Sequence, residues 1–279
     1  MLCPTLVLLP TRCAEASNLG WVEMLMAGIE RSHRVSVHLS ASTVTRRVKR
    51  WATKIIPKHT LRICRYEAYL AWVRLTTRNA DARYRNSKNL LLNLGCGYSG
   101  RPGWENVDSF RFPGVTLVFD CRRRLPFPSG SAQGIFTEHF VEHLDYTEEV
   151  PYFLAECHRV LLPGGVLRIV VPDAEQYLRA YVEDGWDRAV QLRQLDEAHV
   201  DPRFGCRYLT KMELVNMVSR QDGEHRFAYD FETLRLCLET AGFTTIMRQS
   251  YNHSIMTELC IDKERRATES LYVDAVKRS

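Results

Sequence analysis

No C-x-x-C pair occurs in the 279 residues, although nine cysteines are present, at positions 3, 13, 64, 96, 121, 157, 206, 237 and 260. Zinc sites usually draw two ligands from one tight turn, so this spacing offers no metal site. The odd count excludes a complete disulfide framework, and the thiols read as reduced, as in a cytosolic protein. Long apolar runs are missing too. Leu6 to Leu9 is stopped by Pro10 and is too short for a membrane span or a secretory leader. No internal repeat or low-complexity tract is found. The net charge of +5 is mild, permitting an acidic partner without demanding one.

Acidic residues are nearly absent from one stretch. Residues 43–78 hold ten Lys or Arg (Arg46, Arg47, Lys49, Arg50, Lys54, Lys58, Arg62, Arg65, Arg74 and Arg78) and one acid, Glu67. Trp51, Tyr66, Tyr69 and Trp72 are interleaved with them. One reading is a pair of surface helices with a solvated basic face, broken at Pro57. A second is peripheral contact with an anionic membrane, which would leave the protein cytoplasmic but membrane-associated. A nucleic-acid platform is a third.

Elsewhere the pattern is that of an ordinary globular chain, 45% hydrophobic and 25% charged. Residues 1–40 read as strand, helix, strand, a βαβ fragment within an N-terminal extension over 1–88. From Asn89 the grammar becomes strands alternating with helices. Strands are expected at 90–94, 104–108, 115–120, 134–137 and 166–171. A helix is expected over about 147–162, ended by Pro163-Gly164-Gly165, and another over about 231–241. This alternation implies a mainly parallel sheet covered on both faces, in a domain spanning 89–279.

Gly95-Cys96-Gly97-Tyr98-Ser99-Gly100 follows the first strand and fits G-x-G-x-x-G, which alone is a weak signal. Spacing narrows it. A dinucleotide fingerprint opens directly into a helix and puts its ribose-binding acid about 20 residues on. Here Pro102-Gly103 intervene, a new strand follows, and Asp108 comes only eight residues after Gly100. A pyrophosphate resting on a helix N-terminus is therefore disfavoured.

Leu92-Asn93-Leu94-Gly95-Cys96-Gly97 resembles the first motif of class I S-adenosylmethionine (SAM)-dependent methyltransferases of the type 11 kind. Gly103 to Asp108 resembles a subgroup related to polysaccharide and surface-glycan biosynthesis. Further matching blocks follow in order: Leu125 to Pro128, Glu138 to Leu144, Glu156 to Gly165, Ile169 to Asp173, His225 to Asp230, and Ala241 to Phe243. The resemblance implies a Rossmann-like α/β fold, with a seven-stranded, mostly parallel sheet that has one antiparallel strand and helices on both faces. It implies that Leu94, Gly95, Cys96 and Gly97 cradle the amino-acid end of SAM. Asp108 would accept from the ribose hydroxyls, and Asp120 with Cys121 would lie by the adenine. Glu138 and His139 would face the methionine portion or the acceptor. Gln133 departs from the aspartate common in the family, and the basic segment lies outside the resemblance.

Three functional classes stay open. A methyltransferase acting on a small molecule or glycan, at oxygen, needs a base for the acceptor hydroxyl, and His139, His143 and His225 are candidates, His143 reading more as a core residue. His143 falls four residues after His139, on one face if a helix runs through both, but a metal pair there lacks a further recognisable ligand. Asp120 has a second reading as an ion-pair partner of Arg122 to Arg124. The second class is a nucleic-acid or protein methyltransferase docking through the basic segment. Against it, Thr137-Glu138-His139-Phe140 replaces the Asn/Asp-Pro-Pro-aromatic motif of nucleobase amino-methylating enzymes. The third is a SAM-binding module without catalysis. Neither the acceptor nor the oligomeric state is legible.

Overall fold

The structure is a computed structural model that describes residues 55–278. The expected βαβ fragment and the cations from Arg46 to Lys54 lie outside the described residues. The first described helix, α1 (Lys58–Thr76), begins directly after Pro57, whose fixed φ suits a helix entry. A short α2 (Ala80–Tyr84) leads into the sheet domain.

The sheet strands are β1 (Leu90–Leu94), β2 (Glu105–Asp108), β3 (Leu117–Val118), β4 (Ala132–Glu138) and β5 (Leu161–Pro172). Between β4 and β5 lies α3 (Glu149–Val160). After β5 come α4 (Ala174–Val182), α5 (Asp187–Arg193), a small ribbon of β6 (Val200–Asp201) and β7 (Cys206–Arg207), and α6 (Lys211–Arg220). Finally α7 (Phe231–Thr240), β8 (Phe243–Gln249) and β9 (Ser270–Lys277) complete the domain.

The seven-stranded sheet has the order β3-β2-β1-β4-β5-β9-β8. β9 runs antiparallel to both β5 and β8, while β1 to β5 pair in parallel. The expected fold, seven strands with one antiparallel, is the one observed.

Strand alternation divides the core. In β5, Leu167, Ile169 and Val171 face one side with Leu92, Ile135 and Val273, where Phe153 and Leu154 of α3 and Leu234 and Leu238 of α7 cover them. Val166 and Val170 face the other side with Phe136, Tyr272 and Leu259. Among the described residues that second cluster is packed by Tyr251, Met256 and Ile261 of the segment before β9. Arg168 points the same way and is wholly buried, bonded to Asp262 (2.9 Å) and Asp274 (2.9 Å). A separate small core joins α4, α5 and α6 through Tyr177, Ala189, Leu192, Leu214 and Val218.

Two expectations change. The helix ends earlier than expected, at Val160, and Pro163-Gly164-Gly165 lies inside β5, accommodated by a bulge. Ala132 pairs with Leu161, and Gly134 with Val166. Six described cysteines are free thiols. Cys206 is disulfide-bonded, which corrects the expectation that every thiol is reduced. Among the described residues no helix is long and apolar enough to cross a membrane.

Candidate functional site

The crevice at the carboxyl ends of the parallel strands is where ligands bind in open α/β sheets. Here it is built from the turn after β1, the tip of β2 and the segment after β4. Leu94 is fully buried and contributes backbone only, because its side chain belongs to the core. The N–H groups of Gly95 and Cys96 both donate to Val107 O, at 2.9 and 3.2 Å. Gly95 has φ +70°, and a Cβ there would lie 2.6 Å from the Phe140 ring. Only glycine fits. The contact also brings the segment after β4 against the glycine turn. Gly97, at φ +52°, has nothing within 4 Å of where a Cβ would stand, so its backbone faces open space.

Asp108 closes this turn. Its Oδ2 accepts from Gly97 N–H and its Oδ1 from Phe110 N–H, both at 2.9 Å. Burial raises the Asp108 carboxyl above its ordinary range, while these backbone donors oppose the rise. Cys96 is buried beside it, its thiol pushed up to about 12 by burial and by the Asp108 charge.

Helix α1 lies over this end of the crevice. Tyr69 O–H donates to Ser109 O at 2.7 Å, and the Tyr69 ring stacks on Phe110 with centroids 5.0 Å apart. Arg74 reaches Asp120, Nε to Oδ2 at 2.8 Å. Arg122 takes Oδ1 of the same acid at 3.0 Å and bonds Glu67 of α1 at 2.9 Å. Both Asp120 oxygens thus meet guanidinium donors. Arg122 is one of the three arginines the sequence offers, whereas Arg74 arrives from a distant helix. Burial opposes ionisation of Asp120, but the two arginines hold its carboxyl below the usual range. Cys121 is buried beside it, and burial raises its thiol well above the ordinary value. The apolar side of α1, with Leu70 and Val73 wholly buried, is spent on the fold. Arg62 pairs at about the rim with Asp222 and Glu224, at 3.8 and 3.7 Å.

Glu138 is buried, and its Oε1 accepts from Lys263 N–H at 3.0 Å while Oε2 lies 2.7 Å from Lys263 Nζ. The carboxylate is therefore committed to the segment before β9. His139 follows with φ +53°, and a 3-10 turn spans only Val141–His143. No helix runs through residues 139 to 143, so His139 and His143 do not share a helix face. His139 Nε2 lies 2.9 Å from Ser270 Oγ, and its Nδ1 lies 3.2 Å from Glu142 Oε1.

The structure instead gathers His143 and His225, whose rings meet edge to face at 4.7 Å, around Glu142. His225 Nδ1 is bonded to Val218 O (2.6 Å) and its Nε2 faces Glu142 Oε1 at 4.0 Å. Burial lowers the basicity of all three imidazoles, that of His225 to about 3, with the His143 charge as the next cause. Burial also pushes the Glu142 carboxyl up to about 8. A small pocket lined by Glu142, His225, Phe227, Ala228 and Tyr229 opens onto this cluster. Glu142 and Tyr229 escape sequence reasoning. The repeat of Glu-His at 138–139 and 142–143 was the available signal for the first.

Residues 105–169 match the family described as Methyltransferase domain. The match takes in Asp108, Asp120, Cys121, Glu138 and His139 and begins after the glycine turn. The chain is 28% identical over 130 residues to Probable tRNA methyltransferase 9B of Mus musculus, across 45% of this chain and 28% of that protein. It therefore spans under a third of that curated relative. Among solved structures it is similar to a SAM-dependent methyltransferase of Thermotoga maritima, with 13% identity, TM-score 0.42, and coverage of 77% of this chain and 96% of that one. A SAM-dependent methyltransferase of Archaeoglobus fulgidus is similar at 17% identity and TM-score 0.40, covering 75% of this chain and 94% of that one. The sheet order of the described residues is that of the Rossmann-like class I methyltransferase fold, and residues 105–169 match a methyltransferase family within it.

Proposed function

We propose that the protein transfers the methyl group of SAM to an oxygen of a small-molecule or glycan acceptor. The observation that carries this reading is the junction of Gly95 and Phe140. The glycine turn is tied to Asp108 through Gly97 N–H, and the chain packed on it at Phe140 reaches, two residues later, Glu142, which lines a small pocket with His225. The residues present fit the cofactor. Gly97 leaves its backbone open to a ligand, and Asp108 offers about four lone-pair sites, of which the Gly97 and Phe110 N–H groups use two. The ribose hydroxyls would bind the remainder.

SAM supplies an electrophilic methyl on a sulfonium whose departure leaves a neutral thioether. The chain's work is to align the acceptor and exclude water. An alcohol must also lose a proton, and His225 is buried in its neutral form with Nδ1–H held by a carbonyl. The Nε2 lone pair is thus the remaining proton acceptor of a side chain that lines the pocket. His139 has Nε2 bonded to Ser270 Oγ, while its Nδ1 stands 3.2 Å from Glu142 Oε1 without bonding to it.

The test is calorimetry with SAM and NAD, followed by transfer of a labelled methyl from SAM to soluble sugars and to RNA. Micromolar SAM binding, roughly −8 kcal/mol, and label on a sugar oxygen are expected. Tight NAD binding without SAM binding would sink the cofactor reading. Label appearing only on RNA would move the acceptor to nucleic acid.

A further inference from the structure

Two histidines beside the pocket present the same face. His143 Nδ1 lies 3.1 Å from Glu224 O, and His225 Nδ1 lies 2.6 Å from Val218 O. A carbonyl can only accept, so each Nδ1 carries the hydrogen and each Nε2 is left as a lone pair. Between them stands Glu142, 1% exposed, whose two carboxylate oxygens have no hydrogen-bond partner. His139 Nδ1 is 3.2 Å from Oε1 without bonding to it. One ligand atom from each of Glu142, His143 and His225 falls within 4.8 Å of the others.

Two imidazole lone pairs gathered with a buried carboxyl group that has no hydrogen-bond partner are expensive in a dry interior unless something positive joins them. The arrangement is also braced. Arg226 N–H donates to Glu142 O at 2.7 Å, which fixes the 3-10 turn against the strand of chain that carries His225. Imidazoles that give their second N–H to a backbone carbonyl are the usual outer shell of a metal site.

We propose that Glu142, His143 and His225 bind a divalent transition-metal ion, zinc in the first instance. Two imidazole nitrogens and one carboxylate suit zinc, whereas magnesium and calcium call for oxygen donors. Bonds of about 2.0–2.2 Å would draw the three atoms inward. Three protein ligands leave a fourth position, as in catalytic zinc sites. Two of the three ligands, Glu142 and His225, line the pocket, where the Tyr229 hydroxyl is also buried without a partner. An oxygen bound at the fourth position would become more acidic and could give its proton to water, and His225, with Nε2 on the ion, would no longer be the base. The inference goes beyond methyl transfer, and its test uses neither SAM nor an acceptor.

Chelator-treated full-length protein is titrated with zinc chloride by calorimetry, and with cobalt(II) followed by visible absorption. One ion per chain is expected, with a cobalt spectrum free of thiolate charge-transfer bands. Glu142→Gln, nearly the same in shape, should weaken zinc binding about tenfold or more, and so should His143→Asn. If Glu142→Gln does not fold, His143→Asn, on a less buried side chain, decides the matter. Absence of saturable binding, binding unchanged in the folded variants, or binding lost on alkylating the cysteines would each overturn the site.

Discussion

The backbone N–H of Gly97 donates to Oδ2 of Asp108 across 2.9 Å, so the turn after β1 and the tip of β2 are fixed through one carboxylate. Asp108→Ala removes both this brace and the acceptor for the ribose. SAM affinity should fall by about 1.5–3 kcal/mol, the range for a bond to a charged group, or roughly 10- to 150-fold. Calorimetry on the folded variant measures it. A lower melting temperature with unchanged affinity would leave Asp108 a purely structural role.

Two glycines of the same turn should respond differently. At Gly95 a methyl meets Phe140 at 2.6 Å and the backbone is at φ +70°, so Gly95→Ala should lose about 1–3 kcal/mol of stability. At Gly97 no atom lies within 4 Å, so Gly97→Val meets no clash and costs about 1–3 kcal/mol through its φ of +52° alone. It should stay folded but lose SAM binding, because the side chain enters the ligand's space. Denaturant titrations and calorimetry separate the two. The reverse pattern would show that the open side of Gly97 is not where the cofactor lies.

Glu269 gives a pH signature. It is 1% exposed, bonded to Arg193 and Arg203 at 2.6 Å each and to Arg266 at 2.7 Å. Burial alone would raise its carboxyl, but Arg193, Arg266 and Arg203 prevail and lower it from 4.5 to about 2. As pH falls from 4.5 toward 2, the unfolded chain takes up this proton before the native one does. Stability present above that window is therefore lost within it, on the order of 3 kcal/mol. Urea unfolding from about pH 5 to about pH 3 should show a shallower loss for Glu269→Gln. Parallel curves would contradict the assignment.

Arg168 has no exposed side-chain surface, nor have its partners Asp262 and Asp274. Arg168→Met should cost about 3–5 kcal/mol, because two buried carboxylates are left facing each other. Adding Asp262→Asn and Asp274→Asn should recover part of the loss in a thermal melt. No recovery would mean that the hydrogen bonds from Arg168 to His253 O and Ser250 O, at 2.7 and 3.1 Å, hold the segment instead.

The parallel half of the sheet was readable because its strands are largely buried and appear as mostly apolar runs, Leu90 to Leu94 around Asn93 and Val166 to Val171 around Arg168. Their ends were less so. Pro163-Gly164-Gly165 has turn chemistry, yet pairing with Ala132 and Gly134 keeps it in the strand as a bulge. The glycine turn and Asp108 stand together because the seven residues of chain between Gly100 and Asp108 leave little freedom. Asp120 shows the opposite case. Its partner Arg74 is 46 residues away on a helix whose composition reads as a solvated or lipid-facing surface. Periodicity carries no information about such a meeting. Glu142 was hidden for a similar reason, since its surroundings include His225, brought in by a loop more than 80 residues later. The stretch 174–220 lacked a long periodic signal, because its helices are short and share a core only with each other.

Strand β9 fills the slot between β5 and β8, yet it is made after both. While the chain is still emerging from the ribosome, β5 has an open edge and Arg168 has no Asp274 to meet. The nascent domain must wait with that cation and that edge uncovered, a state suited to chaperone capture. Stalling synthesis short of Ser270 would thus leave an opened sheet, not a slightly shorter one.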